Sequence, residues 1–226
     1  PLTVHTYGLM LAIAFLAAGI IASRGFRRRG LSSDVALVAL MAAVVGGLVG
    51  AKLNYVFLYP DLWPASLLSG EGLVWYGGLI AGAAGVLLVL RVTHTPLGPA
   101  VDAIAPALAV GYGLGRIGCF MNGCCYGRES GLPWAVSFPL GSPPTGAMVH
   151  PTQLYESFAS FAIAIVLLVV LQPRLKAQGA LFWAYLGLAG LERLVVEFFR
   201  TNPVVWFGLT LQQWVSVGLV LAAGAG

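Results

Sequence analysis

Charged residues are scarce in this sequence. Of its 226 residues, 12 are Lys or Arg and 8 are Asp or Glu, which makes 9% charged, whereas about a quarter are charged in an ordinary soluble domain. A soluble chain needs polar side chains to cover its core, and intrinsic disorder requires high charge and low hydrophobicity. Because 59% of the residues are hydrophobic, both classes are excluded, and a multi-pass integral membrane protein remains.

Seven apolar segments approach the length of about 20 residues that a membrane-spanning helix needs. They run over residues 7–23, 35–58, 73–92, 99–120, 152–171, 180–199 and 209–225. The alternation typical of an outer-membrane strand is missing. The sequence therefore predicts an all-α membrane protein with about seven transmembrane helices, forming a single integral membrane domain over residues 1–226.

Basic residues indicate the orientation, because cytoplasmic loops carry an excess of Lys and Arg. With seven spans, seven cations fall on one side: Arg24, Arg27, Arg28, Arg29, Arg91, Arg174 and Lys176. That side is then cytoplasmic, so the N-terminus is predicted outside and the C-terminus in the cytoplasm. The Gly/Pro-rich stretch of residues 122–151, between helices four and five, becomes an outer loop. The net charge of +4 then reflects topology and anionic-lipid contact, and no nucleic-acid partner is expected.

Five further cations lie in or at the outer half of the predicted spans: Lys52, Arg116, Arg128, Arg193 and Arg200. A charge within the membrane is costly and usually faces a partner or a cavity. Arg193, Glu197 and Arg200 have the spacing i, i+4, i+7, which predicts one common helix face. Two interpretations stay open, an ion-pair stripe that holds the sixth helix to its neighbours and a polar cavity that binds an anionic ligand.

Arg116 lies in a glycine-rich run, residues 111–127, at the end of the fourth span. Glycines in membrane helices usually serve close packing, but packing alone does not require an Arg, an Asn and three Cys in the same run. A guanidinium beside exposed N–H groups matches phosphate oxygens. Because the Gly-Lys-Ser/Thr pattern of a nucleotide-binding loop is missing, a phosphate carried on a lipid fits better than a nucleotide.

The three cysteines of the chain, Cys119, Cys124 and Cys125, lie within seven positions. They suit small buried apolar residues, a disulfide outside the cytoplasm, or a zinc site that would need His150 as fourth ligand. They also suit a reactive thiolate whose pKa Arg116 or Arg128 lowers, in which case Cys119 or Cys124 attacks a lipid. These alternatives stay open, although no metal is expected.

Three motifs together resemble the prolipoprotein diacylglyceryl transferase family. They are GRIGCFMNGCCYG at 115–127, HPTQLYE at 150–156 and RLVVEFFR at 193–200. The shorter stretches Tyr7–Met10, Tyr76–Ile80 and Asp102–Pro106 follow in matching order. The resemblance covers essentially the whole chain, including seven spans with the N-terminus outside.

The resemblance implies a reaction in a bacterial cytoplasmic (inner) membrane. The family moves a diacylglyceryl group from phosphatidylglycerol to the lipobox cysteine thiol of a prolipoprotein, without a cofactor, and releases glycerol phosphate. Arg116 is expected to hold the lipid phosphate with help from Arg193. The resemblance and the motifs together give as catalytic candidates Arg116, Arg193, Glu197, Tyr76, Cys119 and Cys124. The substrate-binding candidates are Tyr7, Gly77, Gly78, Asn122, Gly127, His150, Gln153, Glu156 and Arg200.

Four positions depart from the family pattern. Tyr76 stands where the family has His, Cys119 where it has Asn, Cys124 where it has an acidic residue, and Ala189 where it has a Tyr four residues before Arg193. A tyrosine with a pKa of about 10 is a poor base at neutral pH. Two alternatives therefore stay open: a paralogue that uses its thiols or Tyr76 in other phospholipid chemistry, and a non-catalytic phospholipid-binding or transport protein.

Overall fold

Helices form most of the protein in the computed structural model, which describes residues 6–59, 61 and 75–225. Along these residues run α1 (Thr6–Arg28), α2 (Ser33–Leu58), α3 (Trp75–Val92), α4 (Leu97–Met121), α5 (Thr152–Ile165), α6 (Ala180–Glu197) and α7 (Leu211–Ala225). Each corresponds to one predicted segment, except that the start of the third, residues 73–74, lies outside the described residues. The mostly helical prediction is confirmed.

Four of these helices are long and apolar enough to cross a membrane. They are α1, α2, α4 and α5, the last together with a π-helical extension over Val166–Leu171. The apolar α3 and α7 are shorter, and α6 carries three charged residues within its 18 positions. The count of seven spans and their orientation stay predictions.

The distribution of side chains is the reverse of that in a soluble protein. Large apolar residues such as Phe57, Ile80 and Phe158 are exposed, whereas Gln153 and Glu156 of α5 are completely buried. Polar groups avoid apolar surroundings unless they are paired, so α5 turns its polar face inward and leaves its apolar face for lipid. This arrangement agrees with a membrane protein.

Two short β-hairpins lie between the helices, which the all-α prediction did not include. Strands β1 (Val136–Phe138) and β2 (Thr145–Val149) pair antiparallel within the connection between α4 and α5. Strands β3 (Val204–Trp206) and β4 (Leu209–Thr210) pair between α6 and α7. The first hairpin leads into the start of α5, and the second follows the end of α6. The polar residues gather at these two helix ends.

The contacts divide the chain into two compact units. In the first, Pro1–Ala22 with Val101–Gly226, an apolar core forms from Ala109 of α4, Ile163 and Leu167 of the α5 region and Leu181 of α6. The buried carboxylate of Asp102 accepts hydrogen bonds from the backbone N–H groups of Gly179 and Phe182. Asp102 thus satisfies donors at the start of α6, the role that a capping side chain plays.

The second unit, Ser23–Ala100, is built on the contact between α2 and α3. Glycines allow the two backbones to approach closely: a Cβ atom on Gly50 would overlap Ala81 and the Gly77 carbonyl, and one on Gly78 would lie 3.0 Å from the Gly47 carbonyl oxygen. Such small-residue contacts are typical of membrane helices. The expectation of a single integral membrane domain stays a prediction.

Candidate functional site

Glu156 lies at the centre of a cluster of arginines in the first unit. Its side chain is fully buried, and Oε1 accepts hydrogen bonds from Nη1 of Arg193 at 2.8 Å, Nη2 of Arg116 at 3.1 Å and the Tyr112 hydroxyl at 3.2 Å. Its Oε2 lies 3.0 Å from Nε of Arg116 and 3.7 Å from Nη1 of Arg200. The Nε contact is an ion pair too poorly aligned to be a hydrogen bond. One carboxylate therefore gathers three guanidinium groups.

The position of Glu156 follows from the helical spacing of α5. Gln153, Glu156, Ser157 and Ser160 repeat at intervals of three and four, and all are buried, so they occupy one helix face. The resemblance placed Glu156 near the site, and the structure places it at its centre. A buried carboxylate is retained only where charged partners compensate its desolvation, and the arginines do so.

Glu197 is the second buried carboxylate of the cluster. Its Oε2 lies 2.6 Å from Nη2 of Arg193, one helical turn away on α6. Its Oε1 accepts hydrogen bonds at 2.8 Å from Nδ2 of Asn202 and from the Thr210 hydroxyl at the end of the second hairpin. Arg193 thus bridges the two carboxylates, with α6, the hairpin and α5 all holding its guanidinium in place.

The prediction that Arg200 shares a helix face with Arg193 and Glu197 is wrong. Helix α6 ends at Glu197, and the chain turns there, with the Arg200 N–H donating to the Glu197 carbonyl at 3.1 Å. The turn nevertheless carries the Arg200 guanidinium to Glu156 and to the carbonyl of Cys125, at 2.9 Å. Arg200 therefore joins the cluster by a different route from the predicted one.

The cluster has an excess of positive charge. Three guanidinium groups face two carboxylates, which leaves one formal positive charge. The side chains of Arg116, Arg193 and Arg200 remain 17%, 21% and 13% exposed, whereas both carboxylates are fully buried. Within the described part of the chain, Nε of Arg200 is buried without a hydrogen-bond partner. A partly open cationic cluster with spare N–H groups suits an anion.

Side chains at the start of α5 hold the loop that follows α4. The amide Nε2 of Gln153 donates to the Cys124 carbonyl at 2.6 Å, and the Thr152 hydroxyl donates to the Cys125 carbonyl at 3.0 Å. A Cβ atom on Gly127 would overlap the Phe199 carbonyl, so this position requires glycine. Gln153 and Gly127 thus serve the loop, and their predicted role in substrate binding stays a prediction.

His150 also belongs to this supporting structure. It is buried, its Nδ1 lies 3.1 Å from the Tyr155 hydroxyl, and its ring packs against Phe199. Burial and the nearby charge of Arg128 lower the pKa of His150 below its ordinary value, which favours the neutral ring at pH 7.

The three cysteines form a compact group at the end of α4. All three are free thiols, and their Sγ atoms lie within 4.8 Å of one another. Among the described residues, the group of possible metal ligands consists of the three cysteines and does not include His150. The structure therefore does not supply the fourth ligand that the zinc interpretation required. The neighbouring Cys119 and Cys124 thiols, aided by the charges of Arg116 and Arg200, lower the pKa of Cys125.

The remaining predicted residues lie in two places. In the first unit, the ring of Tyr7 packs beside Gly118 of α4, and Asn122 is exposed at the end of α4, where its side chain interacts with Cys124. In the second unit, the side chain of Tyr76 is 43% exposed on α3, and Gly77 and Gly78 pack against α2. Helix packing explains these glycines, and a binding role for them stays a prediction.

Several residues of the site were not singled out from the sequence. Tyr112 donates to Glu156 and accepts from Arg116 at 2.7 Å; its i, i+4 spacing from Arg116 could have indicated it. Ser160 donates to both oxygens of Glu192 at 3.1 Å. No sequence pattern indicated Asn202 and Thr210, because only the fold of the second hairpin brings them to Glu197.

Comparison with known proteins gives a consistent result. A family model described as prolipoprotein diacylglyceryl transferase matches residues 1–226. Curated relatives named phosphatidylglycerol–prolipoprotein diacylglyceryl transferase include those of Geobacter sulfurreducens, 37% identical over 90% of this chain and 80% of the relative, and of Clostridium tetani, 34% identical over 89% and 83%. That of Dehalococcoides mccartyi strain CBDB1 is 35% identical over 99% and 87%. The chain belongs to the prolipoprotein diacylglyceryl transferase family.

Proposed function

We propose that the protein transfers a diacylglyceryl group from phosphatidylglycerol to the lipobox cysteine thiol of a prolipoprotein. The match along the whole chain and the names of the relatives support this reaction. In this structure, the proposed reaction is supported above all by the cluster of Arg116, Arg193 and Arg200 around buried Glu156. Such a cluster suits the phosphate of a phospholipid, because guanidinium forks match phosphate oxygens.

The reaction is a displacement at the glyceryl carbon. The acceptor sulfur loses its proton and forms a bond to that carbon, and the carbon–oxygen bond to phosphate breaks. Glycerol phosphate leaves with the bonding electrons and takes up the proton. Arg116 and Arg193 stabilise the negative charge that grows on the phosphate. Since Glu156 fixes both guanidinium groups before substrate arrives, little reorganisation is needed in the transition state. Glu156 is thus a positioning residue for the arginines.

The other predicted residues take supporting roles in this proposal. Arg200 adds positive charge beside the phosphate, and Glu197 orients Arg193. The binding residues of the first unit are completed by Tyr7, Asn122, Gly127, His150 and Gln153, and binding by Gly77 and Gly78 of the second unit stays a separate prediction. Tyr76, Cys119 and Cys124 stand at altered positions of the family pattern, and a catalytic role for them stays a prediction that belongs to the alternative phospholipid chemistry.

The proposal also includes the membrane setting. Seven spans, with the N-terminus outside and the C-terminus in the cytoplasm, place the end of α4 and the loop after it on the outer side of a bacterial inner membrane. A prolipoprotein reaches that side during export, and phosphatidylglycerol is an anionic lipid of the same membrane. Four helices long and apolar enough to cross support this setting.

The test is a transfer assay with purified protein in vesicles that contain phosphatidylglycerol. A lipobox peptide is added, and mass spectrometry follows the thioether product while glycerol phosphate is measured separately. We expect both products in equal amounts, and neither with a peptide whose cysteine is replaced by serine. Phosphatidylglycerol binding without any thioether product would contradict the proposed reaction and favour a non-catalytic lipid-binding protein.

A further inference from the structure

The hairpin between α6 and α7 presents an exposed aromatic cluster that the proposed reaction does not use. At its tip, Trp206 and Phe207 are 68% and 77% exposed. Their ring centroids lie 4.8 Å apart, and they lie 6.0 Å and 6.2 Å from the ring of Trp214 on α7. The neighbouring Val204 and Val205 are exposed as well. A contiguous apolar surface of this kind marks a site of contact with a membrane or a protein.

The conformation of the turn makes Phe207 an unexpected residue at the tip. Phe207 and Gly208 both have positive φ, 47° and 74°, as in the two-residue hairpin turns that favour Asn-Gly. For a bulky side chain a positive φ is an outlier. Because most of the Phe207 side chain is exposed, packing within the protein does not explain the residue either. A contact outside the chain does.

Lipid is the partner that the surroundings of the hairpin indicate. Exposed apolar side chains continue from the hairpin onto both helices, with Val195 and Phe198 at the end of α6 and Leu211 and Val215 on α7. Residues 201–226 contain no charged residue, so this surface has no charge with which to select a peptide. Tryptophan is enriched at the membrane–water interface, which suits both its apolar ring and its polar N–H.

The length of α6 sets the depth of the hairpin. The helix has 18 residues, which give about 27 Å at a rise of 1.5 Å per residue, close to the hydrocarbon thickness of about 30 Å. It begins shortly after the basic residues Arg174 and Lys176. In the proposed seven-span arrangement, its other end therefore reaches the opposite headgroup region. Since open sheet edges do not occur within the hydrocarbon, the strands stay at the level of the headgroups and only the rings reach inward.

The base of the hairpin holds a carboxylate of the arginine cluster. Asn202 and Thr210, on either side of the turn, both donate to Oε1 of Glu197. The Thr210 hydroxyl also accepts from the N–H of Gln213 at 3.2 Å, and Oε1 of Gln213 accepts from the Thr210 N–H at 3.0 Å, the reciprocal pair of a capping box. Because Glu197 pairs with Arg193, a shift of the hairpin is passed on to that guanidinium.

We propose that Trp206 and Phe207 insert their rings among the lipid headgroups of the bilayer. The inserted hairpin fixes Glu197, and through it Arg193, at the depth of the lipid phosphates. Trp206 and Phe207 are thus positioning residues, since they act through Glu197 and touch no reacting atom. The positioning role rests on the proposed transfer reaction, whereas the insertion of the rings does not.

The first test identifies what the rings touch. The photoreactive amino acid p-benzoylphenylalanine replaces Phe207 in the full chain, which is placed in phosphatidylglycerol vesicles with a lipobox peptide, irradiated and analysed by mass spectrometry. We expect phospholipid adducts near the glycerol backbone of the lipid. The same probe at Phe158, exposed on α5 about 9 Å along the helix from its start, is the positive control, with adducts deeper along the acyl chains. The probe at Glu129, an exposed charged residue of the loop after α4, is expected to label little lipid.

Two outcomes of this test would overturn the insertion. Peptide adducts in place of lipid adducts would make the hairpin a docking surface for the acceptor. A probe at position 207 that labels lipid no more than the probe at position 129 would place the rings in water.

The second test measures the positioning role. Phe207→Asn removes the ring and suits the turn, because Asn-Gly is favoured there, so the melting temperature in detergent should stay close to that of the unmodified protein. We expect the rate of thioether formation in vesicles to fall about tenfold, since a misplacement of about 1 Å can cost about 10²-fold. Phe207→Trp, which keeps an interfacial ring, is expected to restore most of the rate.

A double variant tests whether the effect passes through Glu197. Thr210→Val removes a hydrogen bond to Glu197 without changing the tip. Because both changes act on the same carboxylate, Phe207→Asn with Thr210→Val should be no slower than the slower single variant, whereas independent effects multiply. Multiplied effects, or an unimpaired rate in the Phe207→Asn protein, would overturn the positioning role. Lipid adducts from position 207 together with no thioether from the unmodified protein would contradict the proposed function and leave the insertion standing.

Discussion

Replacing Glu156 by Gln removes the charge that gathers the three arginines while keeping the shape of the side chain. If the amide oxygen takes the place of Oε1, it keeps the bonds to Tyr112, Arg116 and Arg193. The amide NH₂ then faces Nε of Arg116 and Nη1 of Arg200, where Oε2 now makes ion pairs. Donors meet donors, and three guanidinium groups are left with one carboxylate.

The expected loss of stability follows from this contact pattern. Removing one partner of a buried ion pair costs 3–5 kcal/mol. The three arginines remain 13% to 21% exposed, so water can solvate them partly, and we expect about 3 kcal/mol, near the low end of that range. A loss of this size lowers the folding equilibrium constant about 150-fold and the melting temperature by about 6–12 °C for a chain of this length.

The assay is thermal unfolding of the purified protein in detergent, followed by intrinsic tryptophan fluorescence. Glu192→Gln is the matched control, because Glu192 is also on a helix of the first unit but accepts hydrogen bonds from Ser160 and forms no ion pair among the described residues. We expect the control to lose about 1 kcal/mol or less. A Glu156→Gln protein that melts no lower than the Glu192→Gln protein would refute the central role of Glu156.

Three further predictions concern other parts of the protein. Arg116→Gln is expected to lower the transfer rate about 10²- to 10³-fold, and Arg116→Lys to restore little of it because an ammonium lacks the planar fork; full recovery by Lys would contradict bidentate phosphate binding. Gly50→Ala is expected to lower the free energy of unfolding by about 1–3 kcal/mol through overpacking between α2 and α3, as measured by thermal unfolding. Gly218→Ala, whose added methyl group meets open space, is expected to leave the free energy of unfolding unchanged. The pKa of His150 is lowered in the folded protein. The stability that neutral His150 contributes is therefore present above pH 6.5 and is lost as the pH falls through the lowered pKa. A His150→Gln protein that shows the same pH dependence of unfolding would contradict this.

The positions of the helices could be predicted because apolar length is a strong signal. All seven segments coincide with helices of the described residues within a few positions, since a run of about 20 apolar residues has few alternatives to a helix. The same signal says nothing about short strands, so the hairpin over Val204–Thr210 was missed. Residues 204–208 were assigned to a loop between two spans and Leu209–Thr210 to the start of the seventh span, because a pair of strands this short carries no periodicity to detect.

The candidate site could be predicted only in part, for reasons of geometry. Arg116 and Arg193 stood out because charge is rare in the spans, and both lie in the cluster. Glu156 was noticed but not recognised as its centre, because the contact between residues 40 positions apart depends on how α4 and α5 pack. Arg200 was placed on the helix face of Arg193, since nothing in the local spacing shows that α6 stops at Glu197. Local patterns identify such residues, whereas tertiary packing decides which of them meet.

The order of the residues along the chain has a consequence for how the protein is made. During synthesis α4 emerges before α5, so Arg116 is already present when Glu156 reaches the bilayer. Arg193 and Arg200 follow only with α6 and the turn after it. Glu156 therefore enters with one cationic partner and gains the others tens of residues later. In a ribosome-bound chain that ends before α6, α5 should accordingly be less stably inserted than in a chain that ends after Arg200. A membrane-integrated chaperone has its best opportunity to act between these two stages of synthesis.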